Sequence, residues 1–240
     1  MDGRLVIWPG KSLQSIAGDI GSRLKNVNSS GFCLVEFEEK DDKLETDMLV
    51  ISSIVGRELS RGFGYHFLTG ESDDNKLAAH TEGISYSSGI IPFFTLGCVR
   101  PSEIGGETRI FDARMAARLV FEHHPSLAKV VIEYSSLANR REGSFYPLVV
   151  CDRSWGNVLM YRAKVETNKI IGCRGYGDEE VYHIIDEILE KCVVLKHNWR
   201  QGDMLFVNNR ITLHDRLPFQ GTRRMLRVRF DDPLNQRISY

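Results

Sequence analysis

Little in this chain departs from an ordinary globule, and the absences narrow its class. Thirty-one basic residues against 32 acidic ones leave a net charge of −1. Nothing in that balance argues for binding to nucleic acid or to a membrane surface. No apolar run approaches the ~18 residues that span a bilayer. The opening Met1-Asp2-Gly3-Arg4 carries an acid and leads into no apolar core of a leader peptide, so no secretory signal is expected. The five cysteines (33, 98, 151, 173 and 192) are odd in number, scattered, and form no C-x-x-C. A disulfide framework or a zinc site is therefore not expected, and a cytoplasmic setting is. The cysteines read as small hydrophobes. Internal repeats and low-complexity tracts are also absent.

What is present fits one domain over residues 1–240, with 42% hydrophobic and 26% charged residues. Helical spacing predicts helices over Leu13–Leu24, Thr46–Ser60, Arg114–Glu122 and Asp178–Lys191. In the last of these, Val181, Ile184, Ile185, Ile188 and Leu189 form one stripe, leaving His183 on the surface. Strands are expected over Gly31–Phe37, Gly64–Gly70, Ala78–Glu82, Pro92–Val99, Thr108–Phe111, Pro147–Val150, Val158–Arg162, Cys192–Leu195, Met204–Val207 and Met225–Phe230. Glu38–Lys43 reads as a charged surface loop. Leu137–Tyr146 reads as a polar loop of the kind that serves as a lid.

The chemistry concentrates in His80-Thr81-Glu82, answered far downstream by His214. Two imidazoles and one carboxylate can hold one face of an octahedral iron(II) and leave the other open. On an extended segment, residues two apart project to the same side, so His80 and Glu82 can reach one ion. The third ligand must then come from a distant strand. By contrast, His123-His124-Pro125 at a helix end is explained by ordinary C-terminal preferences.

The flanking residues form an ordered set. His80-Thr81-Glu82 is followed by Gly105-Gly106-Glu107-Thr108, then by Trp199-Arg200-Gln201-Gly202-Asp203 with Asn208-Asn209, then by His214 and the basic segment around Arg223-Arg224. This set resembles the iron(II)/2-oxoglutarate dioxygenases of the taurine dioxygenase (TauD/TfdA) and clavaminate synthase-like superfamily. The resemblance covers about residues 75–112 and 195–232. It implies a mainly β core of α+β class, a double-stranded β-helix or jelly roll with flanking helices. It implies iron(II) held by His80, Glu82 and His214, with 2-oxoglutarate and O2 as co-substrates. The reaction would be hydroxylation, desaturation or cyclisation at an unactivated C–H bond, releasing succinate and CO2. Related halogenases lack the carboxylate, so Glu82 argues against chlorination.

Thr108 would donate its hydroxyl to a 2-oxoglutarate carboxylate, on a turn that Gly105 and Gly106 permit. For the cation, alternation in Arg223–Phe230 puts Arg224 with Leu226, Val228 and Phe230 on one face, and Arg223, Met225, Arg227 and Arg229 on the other. An apolar barrel interior would then take Arg224 inward, where the co-substrate's distal carboxylate offsets its burial. Arg227 is the alternative. Trp199 and Asp203 read as parts of a turn, and Asn209 as an orienting residue near His214. The H-x-E form is similar to that of clavaminate synthase and of free-amino-acid hydroxylases, which points to an amino acid or an amino-acid-derived metabolite as the small-molecule substrate. Candidate substrate contacts are Tyr86, Ser88, Arg140, Arg141, Asp231 and Asp232. Two other classes remain: a zinc hydrolase using the same three ligands, and a non-catalytic β-helix protein that binds a small ligand.

Overall fold

The structure, a computed structural model, describes residues 4–7, 12–37, 44–59, 61, 64–84, 90–134, 144–163, 168–173 and 175–230. Among the described residues, four α-helices flank two principal sheets, accompanied by one three-stranded and two two-stranded sheets, and the strands are nearly all antiparallel. Helix α1 (Leu13–Lys25) starts at Ser12, whose side chain accepts from the Ser15 N–H. It buries Ile16, Ala17, Ile20 and Leu24. Helix α2 (Leu44–Glu58) buries Met48, Ile51 and Val55. Helix α3 (Ala113–His123) is capped by Asp112, which accepts from the N–H groups of Arg114 and Met115. Helix α4 (Asp178–Glu190) has three acids in its first turn, where they suit the helix dipole.

The larger sheet has six strands. In spatial order they are Arg4–Ile7, Phe32–Phe37, Met204–Asn208, Phe93–Arg100, Arg223–Phe230 and Gly64–Gly70. The smaller has four: Val193–His197, Thr108–Asp112, Thr212–Arg216 and Leu77–His80. Three apolar clusters hold the layers together. One lies between α1–α2 and the larger sheet and includes Leu226, Val228 and Phe230. A second lies between the sheets and includes Phe94, Leu96, Ile110 and Met225. The third packs α3 and α4 near the smaller sheet around Phe111, Val181 and Ile185. Each fully buried aliphatic or aromatic side chain contributes about 1.5–3 kcal/mol. Among the described residues, no helix is long and apolar enough to cross a membrane.

The structure revises the predicted segments in three places. The strand predicted over Ala78–Glu82 ends at His80, and Glu82 begins a turn. The strand predicted over Pro147–Val150 is two, Ser144–Pro147 and Val149–Asp152, with Leu148 between them. The next strand is Gly156–Leu159 rather than Val158–Arg162. Glu38–Lys43 and residues 137–143 lie outside the described residues.

Candidate metal and co-substrate site

His80 and His214 are cross-strand partners in the smaller sheet. This register alone brings their rings to 4.2 Å between centroids. Glu82 reaches the same point from the turn after His80. Its backbone, not strand alternation, sets its position. Asn209 accepts from the Glu82 N–H at 2.9 Å and donates to the Glu82 carbonyl at 2.9 Å. The same amide donates to the Ile91 carbonyl at 2.6 Å. Asn209 therefore orients Glu82 rather than His214. The three potential ligand atoms all lie within 4.8 Å of one another.

The protonation states suit a divalent cation. His80 Nδ1 donates to the Ala78 carbonyl at 2.9 Å, which turns Nε2 toward Glu82, 3.6 Å away. Burial and the neighbouring His80 push the His214 pKa well down, so that ring is neutral. Its Nδ1 is buried and takes no hydrogen bond among the described residues. Burial works against ionising Glu82, but His80, His214 and Arg227 prevail and hold its carboxyl well below the usual range. Two imidazoles and one carboxylate are the donor set of a non-heme iron(II) site.

Beside this cluster, a cleft of about 270 Å³ is lined by Thr108, Arg223 and Arg227, among others. Thr108 is buried, and its hydroxyl oxygen accepts from Trp199 Nε1 at 2.9 Å. The indole takes a lone pair and leaves the threonine proton available to an acceptor. Arg223 is 7% exposed and has no acid within ion-pair range among the described residues. Its Nε is buried without a hydrogen-bond partner. The guanidinium lies 5.8 Å from the ring of Phe219 and 6.0 Å from that of Trp199. Burial, reinforced by Arg216, pushes its pKa down to about 10. The Gly105-Gly106 turn shapes this wall. Both glycines have positive φ, and a Cβ on Gly106 would fall 2.7 Å from Ser102 Oγ and 3.1 Å from Phe219 Cβ.

The sequence pattern of the family described as "Taurine catabolism dioxygenase TauD, TfdA family" matches residues 65–229, more than two thirds of the chain. The chain belongs to the TauD/TfdA family. Iron(II), 2-oxoglutarate and O2 are accordingly its cofactor and co-substrates, and it is a 2-oxoglutarate-dependent dioxygenase. Solved structures share the fold of this TauD/TfdA member. PvcB from Pseudomonas aeruginosa is similar at 17% identity, with a TM-score of 0.76, over 95% of this chain and 85% of that one. A taurine dioxygenase from Burkholderia xenovorans has 15% identity and a TM-score of 0.67, over 95% and 86%. A variant of the non-heme iron oxygenase OrfP in complex with (3S)-hydroxy-L-Arg has 15% identity and a TM-score of 0.67, over 95% and 93%. No curated protein matches the chain significantly.

The predicted cation requires correction. Arg224 points away from the metal cluster of this TauD/TfdA chain. It pairs with Glu45 on α2 and lies 4.3 Å above the Phe67 ring. The apolar face of its strand serves the helices, so the inward face carries Arg223, Met225, Arg227 and Arg229. Arg227, the alternative, does face the cleft. Its Nη1 is 3.1 Å from Glu82 Oε1, and its Nε and Nη2 lie 3.0 and 2.6 Å from His66 Nε2. Burial and the two cations Arg227 and Arg229 push the His66 pKa down, so this ring is a neutral acceptor. Tyr86, Ser88, Arg140, Arg141, Asp231 and Asp232 all lie outside the described residues. Asp203 does close its turn, accepting from the Arg200 N–H at 2.7 Å and pairing with His197 at 2.9 Å. The His123-His124 pair forms no metal-ligating cluster among the described residues; His124 instead sits 3.4 Å from the Tyr176 hydroxyl.

Sequence reasoning missed Arg223, Arg229, His66 and the bond from Trp199 to Thr108. One signal could have found the first two. The helices predicted over Leu13–Leu24 and Thr46–Ser60 are amphipathic, and each needs an apolar sheet face to cover. Leu226, Val228 and Phe230 supply that face.

Proposed function

We propose that residues 1–240 form one double-stranded β-helix oxygenase that oxidises an unactivated C–H bond of a small carboxylate-bearing molecule, an amino acid or an amino-acid-derived metabolite. The metal ligands are His80, Glu82 and His214. When bound, iron(II) with 2-oxoglutarate and O2 supplies the oxidising power, and succinate and CO2 are released. The protein's part is to bind and orient. Arg223 offers a charged donor to the distal carboxylate of the co-substrate, and Thr108 adds the hydroxyl proton that Trp199 leaves free.

The observation that carries this reading is the buried Arg223, which has no acid partner among the described residues and faces the same cleft as the three metal ligands. Burying an unpaired charge is expensive, and a bound carboxylate offsets that expense. The substrate class has two supports. Arg227 presents a second cation to the cleft, braced by neutral His66, whose Nε2 accepts from it. OrfP, which shares the fold, has been captured with a hydroxylated arginine.

The test is anaerobic addition of iron(II) and 2-oxoglutarate to metal-free protein, followed by succinate release across a panel of amino acids in air. The visible charge-transfer band of chelated 2-oxoglutarate is expected in the parent and absent in His80→Ala and His214→Ala. Substrate-stimulated succinate release should follow for an amino acid or a close derivative. A protein that binds zinc tightly and gives neither band nor succinate would refute the proposal.

A further inference from the structure

The two oxygens of Glu82 face different partners. Oε2 lies 3.6 Å from His80 Nε2 and 3.9 Å from His214 Nε2. Oε1 is turned the other way. It accepts from Arg229 Nη2 at 2.9 Å and Nε at 3.2 Å, with Arg227 Nη1 at 3.1 Å. Two N–H donors of Arg229 thus meet the lone pairs of this oxygen, and the Arg227 guanidinium is ion-paired with it. The backbone of the same residue is fixed by Asn209. Glu82 is 3% exposed, so these contacts are poorly screened.

We infer that Arg229 is a positioning residue that confines Glu82 to one-oxygen coordination, engaging Oε1 so that only Oε2 is offered to the metal. The inference rests on the reading of His80, Glu82 and His214 as the metal ligands. An octahedral ion with three protein ligands keeps three positions, two for a chelating co-substrate and one for O2. A glutamate that closed on the metal with both oxygens would remove one of them. Glutamate is more prone to this than aspartate, because its extra methylene adds a torsion through which the carboxylate can turn. A guanidinium on Oε1 opposes that turn by geometry. Its charge also draws electron density from the carboxylate, so the same contact weakens the hold on the metal. Arg229 therefore trades metal affinity for an open coordination face.

The test uses Co(II) as a redox-stable probe. Co(II) is titrated into metal-free parent, Arg229→Met and Arg229→Lys proteins, and 2-oxoglutarate is then titrated into each Co(II)-loaded form. Removing the charge should tighten Co(II) binding about tenfold, the size of a partly screened unit charge a few ångströms away. It should also weaken 2-oxoglutarate binding about tenfold. Arg229→Lys keeps the charge but loses the fork, so Co(II) affinity should stay near that of the parent while 2-oxoglutarate binding falls. It also serves if Arg229→Met fails to fold, and far-UV circular dichroism checks each variant. Arg229→Met losing affinity for both ligands, as a merely structural role predicts, overturns the inference. So does unchanged 2-oxoglutarate affinity in any folded variant. A parent that binds no Co(II), or His80→Ala binding it as well as the parent, overturns the metal-site reading and the inference with it.

Discussion

Replacing Arg223 by methionine should make the ligand-free protein more stable and its reaction worse. Arg223 is 7% exposed, and its buried Nε has no hydrogen-bond partner among the described residues. A fall in pKa from the ordinary 12.5 to about 10 corresponds to about 3 kcal/mol spent on holding the charge there. Methionine keeps the apolar stem against Phe219 and Trp199 but fills less space, so part of that gain is lost to a cavity. A net gain of about 1–2 kcal/mol should raise Tm by about 2–6 °C in a chain of this size. The co-substrate loses a charged hydrogen bond worth about 1.5–3 kcal/mol, so its apparent KM should rise about tenfold to a hundredfold. Arg224→Met is the control. Its exposed pair with Glu45 is worth less than about 1 kcal/mol, and the 2-oxoglutarate requirement should not move. Differential scanning calorimetry and succinate release read the two quantities separately. The reasoning fails if Arg223→Met lowers Tm and leaves the KM alone, or if Arg224→Met reproduces its kinetic effect.

Other consequences follow from single contacts. Trp199→Phe keeps a ring near Arg223 but removes the donor to Thr108, so Thr108 can turn its proton elsewhere. The Kd of 2-oxoglutarate for the Co(II)-loaded protein should weaken about threefold to tenfold, and an unchanged Kd would remove Trp199 from this role. Asn209→Ala strips buried partners from both backbone groups of Glu82 and from the Ile91 carbonyl. It should cost about 2–4 kcal/mol in urea unfolding, and a loss under about 1 kcal/mol would mean that the amide is replaceable. Burial pushes the Cys33 and Cys192 thiols up to about 12 and about 11, while Cys151 is exposed. Brief alkylation of the native protein at pH 8 followed by mass spectrometry should therefore mark Cys151 and spare Cys33 and Cys192.

The helices were legible because they carry one-sided apolar stripes, and α1, α3 and α4 fall within two residues of the predicted spans. The His80–Glu82–His214 constellation was legible because few chemistries need that set. The mechanism assigned to its spacing was not. Strand alternation brings His80 and His214 together across a pair, but Glu82 lies past the strand end and owes its place to Asn209. No local signal in His-Thr-Glu carries that, because the partner lies far away in sequence. The substrate candidates rested on loop positions outside the described residues, so their placement adds nothing to the choice among them.

The face of Arg223–Phe230 was misread for a physical reason that generalises. An apolar barrel interior would have placed Leu226, Val228 and Phe230 inward. A strand in the middle of a sheet covered by helices has two buried faces. Leu226, Val228 and Phe230 are fully buried, but against α1 and α2. The face toward the metal can then carry three arginines, because it meets a cleft rather than a packed core. There Arg227 and Arg229 find Glu82, and Arg223 has no acid partner among the described residues. Alternation identified the two sets correctly and could not say which looked inward. Charge could. Surface arginines need no such grouping, whereas three on one face of a central strand of a helix-covered sheet must share an anion. Among the described residues, Glu82 is the carboxylate that Arg227 and Arg229 contact. Arg223, buried in the cleft with no acid partner among the described residues, argues that a ligand bound here arrives as an anion.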